Sequence, residues 1–212
     1  MTDVPLAEVR RAAVAKSRFL NRLTIGWNLG EGVIALVAGA VAGSVSLIGF
    51  GLDSGIEVSA ALILAWRLGK ERQHECMADF DRRATRLIAL SFAALSVYVA
   101  VGSVRHLTAA DRPDASPVGI ALAALSLVSM PVLARAKRRL APVLGSRAAH
   151  SEANQTSLCA LLSGVLLVGL VLNAALGWWW ADPVAGLGIA ALAGAEAVET
   201  WRAEALEDTC CA

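Results

Sequence analysis

The sequence predicts an all-α polytopic membrane protein with six transmembrane helices and both termini in the cytoplasm. Three observations carry this. Hydrophobic residues make up 57% of the 212 residues and charged ones only 17%, with mean hydropathy +0.60, whereas a soluble domain carries about 25% charged residues. Six apolar stretches approach the roughly 20 residues that cross a bilayer. Lys and Arg fall almost wholly on one side of such a six-fold crossing.

The elements follow in order. A cytoplasmic N-terminal arm is expected over 1–22, a transmembrane domain over 23–202 and a short cytoplasmic tail over 203–212. The arm holds Arg10, Arg11, Lys16, Arg18 and Arg22 and no apolar run, so it is not a signal peptide. The spans are expected at about Leu23–Gly43, Ser44–Trp66, Leu87–Val104, Pro117–Leu133, Gln155–Leu176 and Pro183–Trp201. Only Gly43 and Ser44 separate the first two.

With the N-terminus inside, the 2–3 loop places Arg67, Lys70, Arg72, Arg82, Arg83 and Arg86 in the cytoplasm. The 4–5 loop places Arg135, Lys137, Arg138, Arg139 and Arg147 there, and the tail adds Arg202. Of the 19 Lys and Arg, only Arg105 and Arg112 then lie outside. An odd number of spans would spoil this asymmetry. Trp178, Trp179 and Trp180 form an outer interfacial anchor, and Trp27, Trp66 and Trp201 lie toward the inner face.

Gly26/Gly30 and Gly39/Gly43 have the small-xxx-small spacing that lets helices approach closely in lipid. A merely Gly- and Ala-rich helix explains them equally well. Asp182 reads as an N-cap with Pro183 at the first helical position.

Several function classes fall away. Net charge is +1, so no basic surface for nucleic acid is expected. Cys76, Cys159, Cys210 and Cys211 lack zinc-finger or thioredoxin spacing. His74, His106 and His150 all sit near span ends, and no nucleophile–base pair is visible, so an enzyme is not expected.

Ionisable groups inside spans are expensive and mark function. Asp53 and Glu57 stand i, i+4 in the second span, one turn apart on one face. Two such carboxylates repel unless a cation or proton lies between them, and divalent cations take oxygen ligands. Gln155 and Cys159 repeat the spacing in the fifth span. Counting from Arg67 and Arg147 at 1.5 Å per residue, Asp53 lies roughly 21 Å deep and Glu57 roughly 15 Å. Gln155 lies roughly 12 Å deep and Cys159 roughly 18 Å. Asp53 therefore matches Cys159 in height, and Glu57 matches Gln155. Two antiparallel i, i+4 pairs make a four-ligand set suited to a tetrahedral ion such as Zn²⁺.

Secondary signals are weaker. Asn28 and Glu31 stand i, i+3 in the first span. They read as a pathway or proton relay, or equally as interhelical hydrogen bonders. Glu152, beside His150 at the mouth of the fifth span, draws cations in or satisfies a helix N-terminus. Glu196 and Glu199 are as ambiguous. His74, Glu75, Cys76, Asp79 and Asp81 read better as a solvated loop than as a metal collector, and Cys210 and Cys211 better as a loose end.

These residues resemble the membrane domain of the cation diffusion facilitators, proton-coupled divalent-metal exporters. The S-x-S-L segment is Ser44-Val45-Ser46-Leu47, and the D-x-x-x-D pair is Asp53 to Glu57. The A-D-A-x-H-x-x-x-D segment corresponds to Ser151 through Cys159, which places Gln155 at the histidine and Cys159 at the aspartate. Ala181-Asp182-Pro183 also fits. Gly177 through Pro183, with the Gln155/Cys159 pair, resembles a divergent branch.

The resemblance implies a divalent cation efflux transporter, running metal/proton antiport by alternating access, and with no targeting extension seen before the first span a prokaryotic inner (plasma) membrane is expected. It implies a homodimer and no permanently bound cofactor. The transported ion is expected to be Zn²⁺ first, with Co²⁺, Fe²⁺, Mn²⁺ or Cd²⁺ as alternatives. The departures from the pattern matter. Gln155 removes an imidazole that titrates near neutral pH, and a thiolate at Cys159 favours softer ions. Eleven residues follow Trp201, so no cytoplasmic C-terminal domain is expected. The alternative reading is a non-transporting membrane metal sensor or scaffold that retains the transporter fold.

Overall fold

The computed structural model describes residues 6–70, 78–144 and 147–205. Six helices follow one another: α1 (Leu6–Ala42), α2 (Val45–Lys70), α3 (Ala78–Ala109), α4 (Pro117–Leu144), α5 (Arg147–Leu176) and α6 (Ala181–Ala205). Each is long and apolar enough to cross a membrane, and no strand occurs among the described residues. The expected all-α architecture with six spans is present.

The helices outrun their apolar stretches. α1 begins at Leu6 because residues 6–25 contain no Gly or Pro and are rich in Ala, Leu and Arg, all strong helix formers. α4 continues past Leu133 to Leu144 despite Pro131 and Pro142 inside it. Residues 135–139 are therefore helix, not loop. Lys137, expected in a solvated loop, is buried.

The turns have local causes. Gly43 takes a positive φ of 66°, which glycine adopts without a Cβ clash. Ser44 then caps α2 by accepting the Leu47 N–H at 3.1 Å. Ser116 caps α4 by accepting the Gly119 N–H at 3.1 Å, with Pro117 at the first helical position. Asp182 does not cap its own helix. Its carboxylate accepts the Ser44 hydroxyl at 2.6 Å and the Ser46 hydroxyl, so it ties the start of α6 to the start of α2. A buried carboxylate needs donors, and these two serines supply them to Oδ1, while Oδ2 is buried without a partner.

Packing pairs α1 with α2, α4 with α5 and α3 with α6, and α2 also touches α3, α5 and α6. It is the most enclosed helix, with 61% of its apolar stretch inside the molecule. Toward the end where α2 begins and α5 finishes, Leu47, Phe50, Leu166, Leu170 and Ile189 are fully or almost fully buried beside the Ser44, Ser46 and Asp182 network. Val33, Val37, Val128, Val132 and Val168 are exposed, as side chains facing lipid are. Trp178 stacks on Trp180 with ring centroids 5.2 Å apart.

Only part of the glycine expectation holds. A Cβ at Gly39 would lie 2.9 Å from the Ile48 backbone nitrogen, so Gly39 does bring α1 onto α2. Gly26 and Gly30 meet nothing within 4 Å, so that pair faces outward.

Candidate functional site

The position of α2 decides where its charges go. Asp53 and Glu57 lie on one face of it and are each 3% exposed. α5 opposes them with Glu152, Gln155, Thr156 and Cys159, all buried. Burying so many polar groups is tolerable only where they satisfy one another or a ligand.

A continuous line of hydrogen bonds crosses three helices. Lys137 of α4 donates from Nζ to Glu152 Oε1 at 2.8 Å and to Thr156 Oγ1 at 2.9 Å. The Thr156 hydroxyl donates to Glu57 Oε1 at 2.6 Å. Two oxygens beside this line, Glu57 Oε2 and Gln155 Oε1, are buried with no hydrogen-bond partner. The Cys159 thiol is fully buried. It lies against Glu57, with Asp53 in electrostatic reach.

Glu31 of α1 joins from the other side. It accepts the Ser126 hydroxyl of α4 and the Ser54 hydroxyl of α2 at 3.3 Å. Asp53 feels Glu57, Glu31 and the half-buried Glu196 electrostatically. Such carboxylates cannot all ionise without a compensating cation or proton.

All seven expected residues are thus buried in one half of the bundle: Asn28, Glu31, Asp53, Glu57, Glu152, Gln155 and Cys159. Besides Asp53, its expected partner in height, Cys159 also lies against Glu57. Depth counting fixes height along an axis but not which side chain points at which. Glu152 is not a free mouth residue, since Lys137 holds it. Among the described residues, no three His, Cys, Asp or Glu side chains gather as a ready metal cluster. The two faces oppose each other without closing on one point. A concave surface of about 810 Å³ lies elsewhere, beside Gly43, Val45, Tyr98, Gly102 and His106.

Sequence reasoning missed Lys137, Thr156, Ser54 and Ser126. Lys137 was hidden in a run of basic residues. Its signal was spacing, because it stands eleven residues after Ser126, three helical turns along the same face. Residues 74–76 and Cys210 and Cys211 lie outside the described residues, as do the side chains of Asp79, Asp81 and His150.

A family model for the cation efflux transmembrane domain matches residues 23–207. The chain belongs to the cation efflux family. No curated protein matches it at a significant level. This cation efflux protein is therefore a multi-pass membrane protein of a cation transporter family, with a bilayer and a cation among its partners. Its matched region contains every residue of the buried polar cluster described above.

Proposed function

We propose that the protein exports a divalent metal cation from the cytoplasm across the inner (plasma) membrane in exchange for protons. The cation is held between α2 and α5 by Asp53, Glu57, Gln155 and Cys159. One observation carries this reading: Glu57 Oε2 and Gln155 Oε1 are buried without partners beside the Cys159 thiol. Carbonyl oxygen, carboxylate and thiolate are metal-ligand types, and unpartnered buried acceptors are what an arriving cation satisfies.

Metal binding requires the two helix faces to close, and release requires them to part toward the other side, as alternating access demands. Protons taken up by the carboxylates neutralise them and expel the ion. The termini lie in the cytoplasm, on the face rich in Lys and Arg, and the protein works as a homodimer. Zn²⁺ is the first candidate, because it accepts mixed oxygen and sulfur ligands in fours.

The test is metal-dependent proton flux in proteoliposomes, scanned over Zn²⁺, Co²⁺, Fe²⁺, Mn²⁺ and Cd²⁺. Flux lost in both Asp53→Ala and Glu57→Ala is expected. Undiminished flux in both overturns the assignment. Metal bound without flux for any ion favours a sensor or scaffold instead.

A further inference from the structure

One face of α1 is polar although it is buried. Ser17, Asn21, Thr24, Asn28 and Glu31 recur alternately four and three residues apart, which keeps them on a single face. Their exposures are 7%, 2%, 0%, 1% and 2%. The ladder covers about 21 Å of helix. It starts where Ala13 packs on Ala141 and Leu144 near the end of α4, and it stops at Glu31. The next position on this face, Ala35, is apolar and fully buried.

The ladder is only partly satisfied by protein. The Asn21 amide donates to the Ala61 carbonyl of α2 at 2.8 Å, but its Oδ1 has no partner. Thr24 Oγ1, Asn28 Oδ1 and Asn28 Nδ2 are also buried without partners. A dry, unpaired amide costs several kcal/mol in an apolar interior. Four such atoms along one seam cost far less if water or a hydrated cation fills it. Lys137 and the buried hydroxyls of Ser54 and Ser126 line neighbouring helices in the same half of the bundle, while beyond Glu31 the α1 face turns apolar at Ala35 and Leu47, Phe50, Leu166 and Leu170 are buried in the other half.

We propose that the polar face of α1 lines a hydrated half-channel for cations, with Asn28 and Glu31 as its innermost station. The passage opens at the end of the bundle where α1 begins. The station supplies oxygen ligands only: the Glu31 carboxylate, the Asn28 amide oxygen and the flanking hydroxyls of Ser54 and Ser126. Such a set suits a hydrated cation, held before it reaches the softer Cys159 side. The purpose of the passage rests on the transport reading, but its existence does not.

The test labels single cysteines in sealed vesicles of known orientation, without metal. The parent chain carries Cys76→Ser, Cys210→Ser and Cys211→Ser and sets the baseline from Cys159. Thr24→Cys and Asn28→Cys are expected to react with a membrane-impermeant cationic methanethiosulfonate from one side only. Lys16→Cys, at an exposed position, serves as the positive control. Ala35→Cys, beyond the ladder, is expected to stay unreacted. The cationic reagent is also expected to outpace its anionic counterpart at Asn28→Cys, and adding Glu31→Gln lowers that ratio roughly tenfold. Protection of both Thr24→Cys and Asn28→Cys while Lys16→Cys reacts overturns the passage, as does reaction at Ala35→Cys. An unchanged ratio after Glu31→Gln overturns the station. Labelling needs no transport, so it separates from failure of the Asp53 and Glu57 reading: loss of flux specificity there leaves these rates unchanged.

Discussion

The Lys137 ammonium lies 2.8 Å from the Glu152 carboxylate, across the α4–α5 interface, with both side chains almost fully buried. Such a pair attracts strongly in a low-dielectric interior, but both charges have left water to form it. The asymmetry matters most. Removing one partner strands the other, whereas removing both does not.

Lys137→Met alone is accordingly expected to destabilise the protein by about 3–5 kcal/mol, and Lys137→Met with Glu152→Met to recover most of that loss. Thermal unfolding of the four chains of this cycle in detergent measures both. A double variant no more stable than Lys137→Met would contradict the pairing as an energetic unit.

Thr156 converts that ion pair into a constraint on Glu57. Its hydroxyl donates to Glu57 Oε1 at 2.6 Å and accepts from Lys137 at 2.9 Å. Thr156→Val keeps the shape and removes the hydroxyl, leaving a buried carboxylate oxygen unpaired at about 1–3 kcal/mol. Metal-dependent flux should show a KM shifted by roughly tenfold, and Thr156→Ser should restore it. Equal KM values in Thr156→Val and the unaltered chain would show that Glu57 needs no such positioning.

Cys159 supplies the one soft ligand type in the cluster. Thiolates prefer softer ions, and carboxylates prefer harder ones. Cys159→Asp is expected to lower the ratio of Cd²⁺ to Mn²⁺ flux, and Cys159→Ser to reduce Cd²⁺ flux without raising Mn²⁺ flux. A ratio unchanged in Cys159→Asp would place the thiol outside the transport path.

How much of this was legible in the sequence depends on the kind of signal. Asp53, Glu57, Gln155 and Cys159 stood out because ionisable or ligand-type residues at i, i+4 in apolar runs are conspicuous. The six helices followed from hydropathy. Lys137 was illegible because a basic residue beside Arg135, Arg138 and Arg139 counts as loop charge until the helix is seen to continue to Leu144. Asp182 was misjudged because Asp before Pro satisfies the local capping rule, while its actual partners, Ser44 and Ser46, lie about 140 residues away in sequence. Local rules cannot see that distance. The polar ladder on α1 was present in the sequence as a periodicity, but Ser, Thr and Asn in a long helix carry no charge to flag it.

The glycines of α1 and α2 separate spacing from contact. Gly26 and Gly30 have the spacing of a packing motif yet meet nothing within 4 Å. Gly51 and Gly55 share that spacing on α2, yet only Gly51 is in contact: a Cβ there would lie 2.9 Å from the Leu36 side chain, 3.0 Å from the Leu36 backbone nitrogen and 3.1 Å from the Gly32 carbonyl oxygen, while Gly55 meets nothing within 4 Å. Two of those three neighbours are backbone and cannot rotate away. Gly51→Ala must therefore push α1 from α2, and α2 carries Asp53 and Glu57 two and six residues further on. Overpacking of this kind costs about 1–3 kcal/mol, and it is expected to lower metal flux as well as stability. Gly26→Ala and Gly30→Ala remove helix-interior glycines without a clash, which should raise stability by about 0.5–1 kcal/mol each. Unfolding midpoints of the three variants decide the matter: a loss at Gly26 equal to that at Gly51 would mean that α1 packs on another surface through its Gly26/Gly30 face.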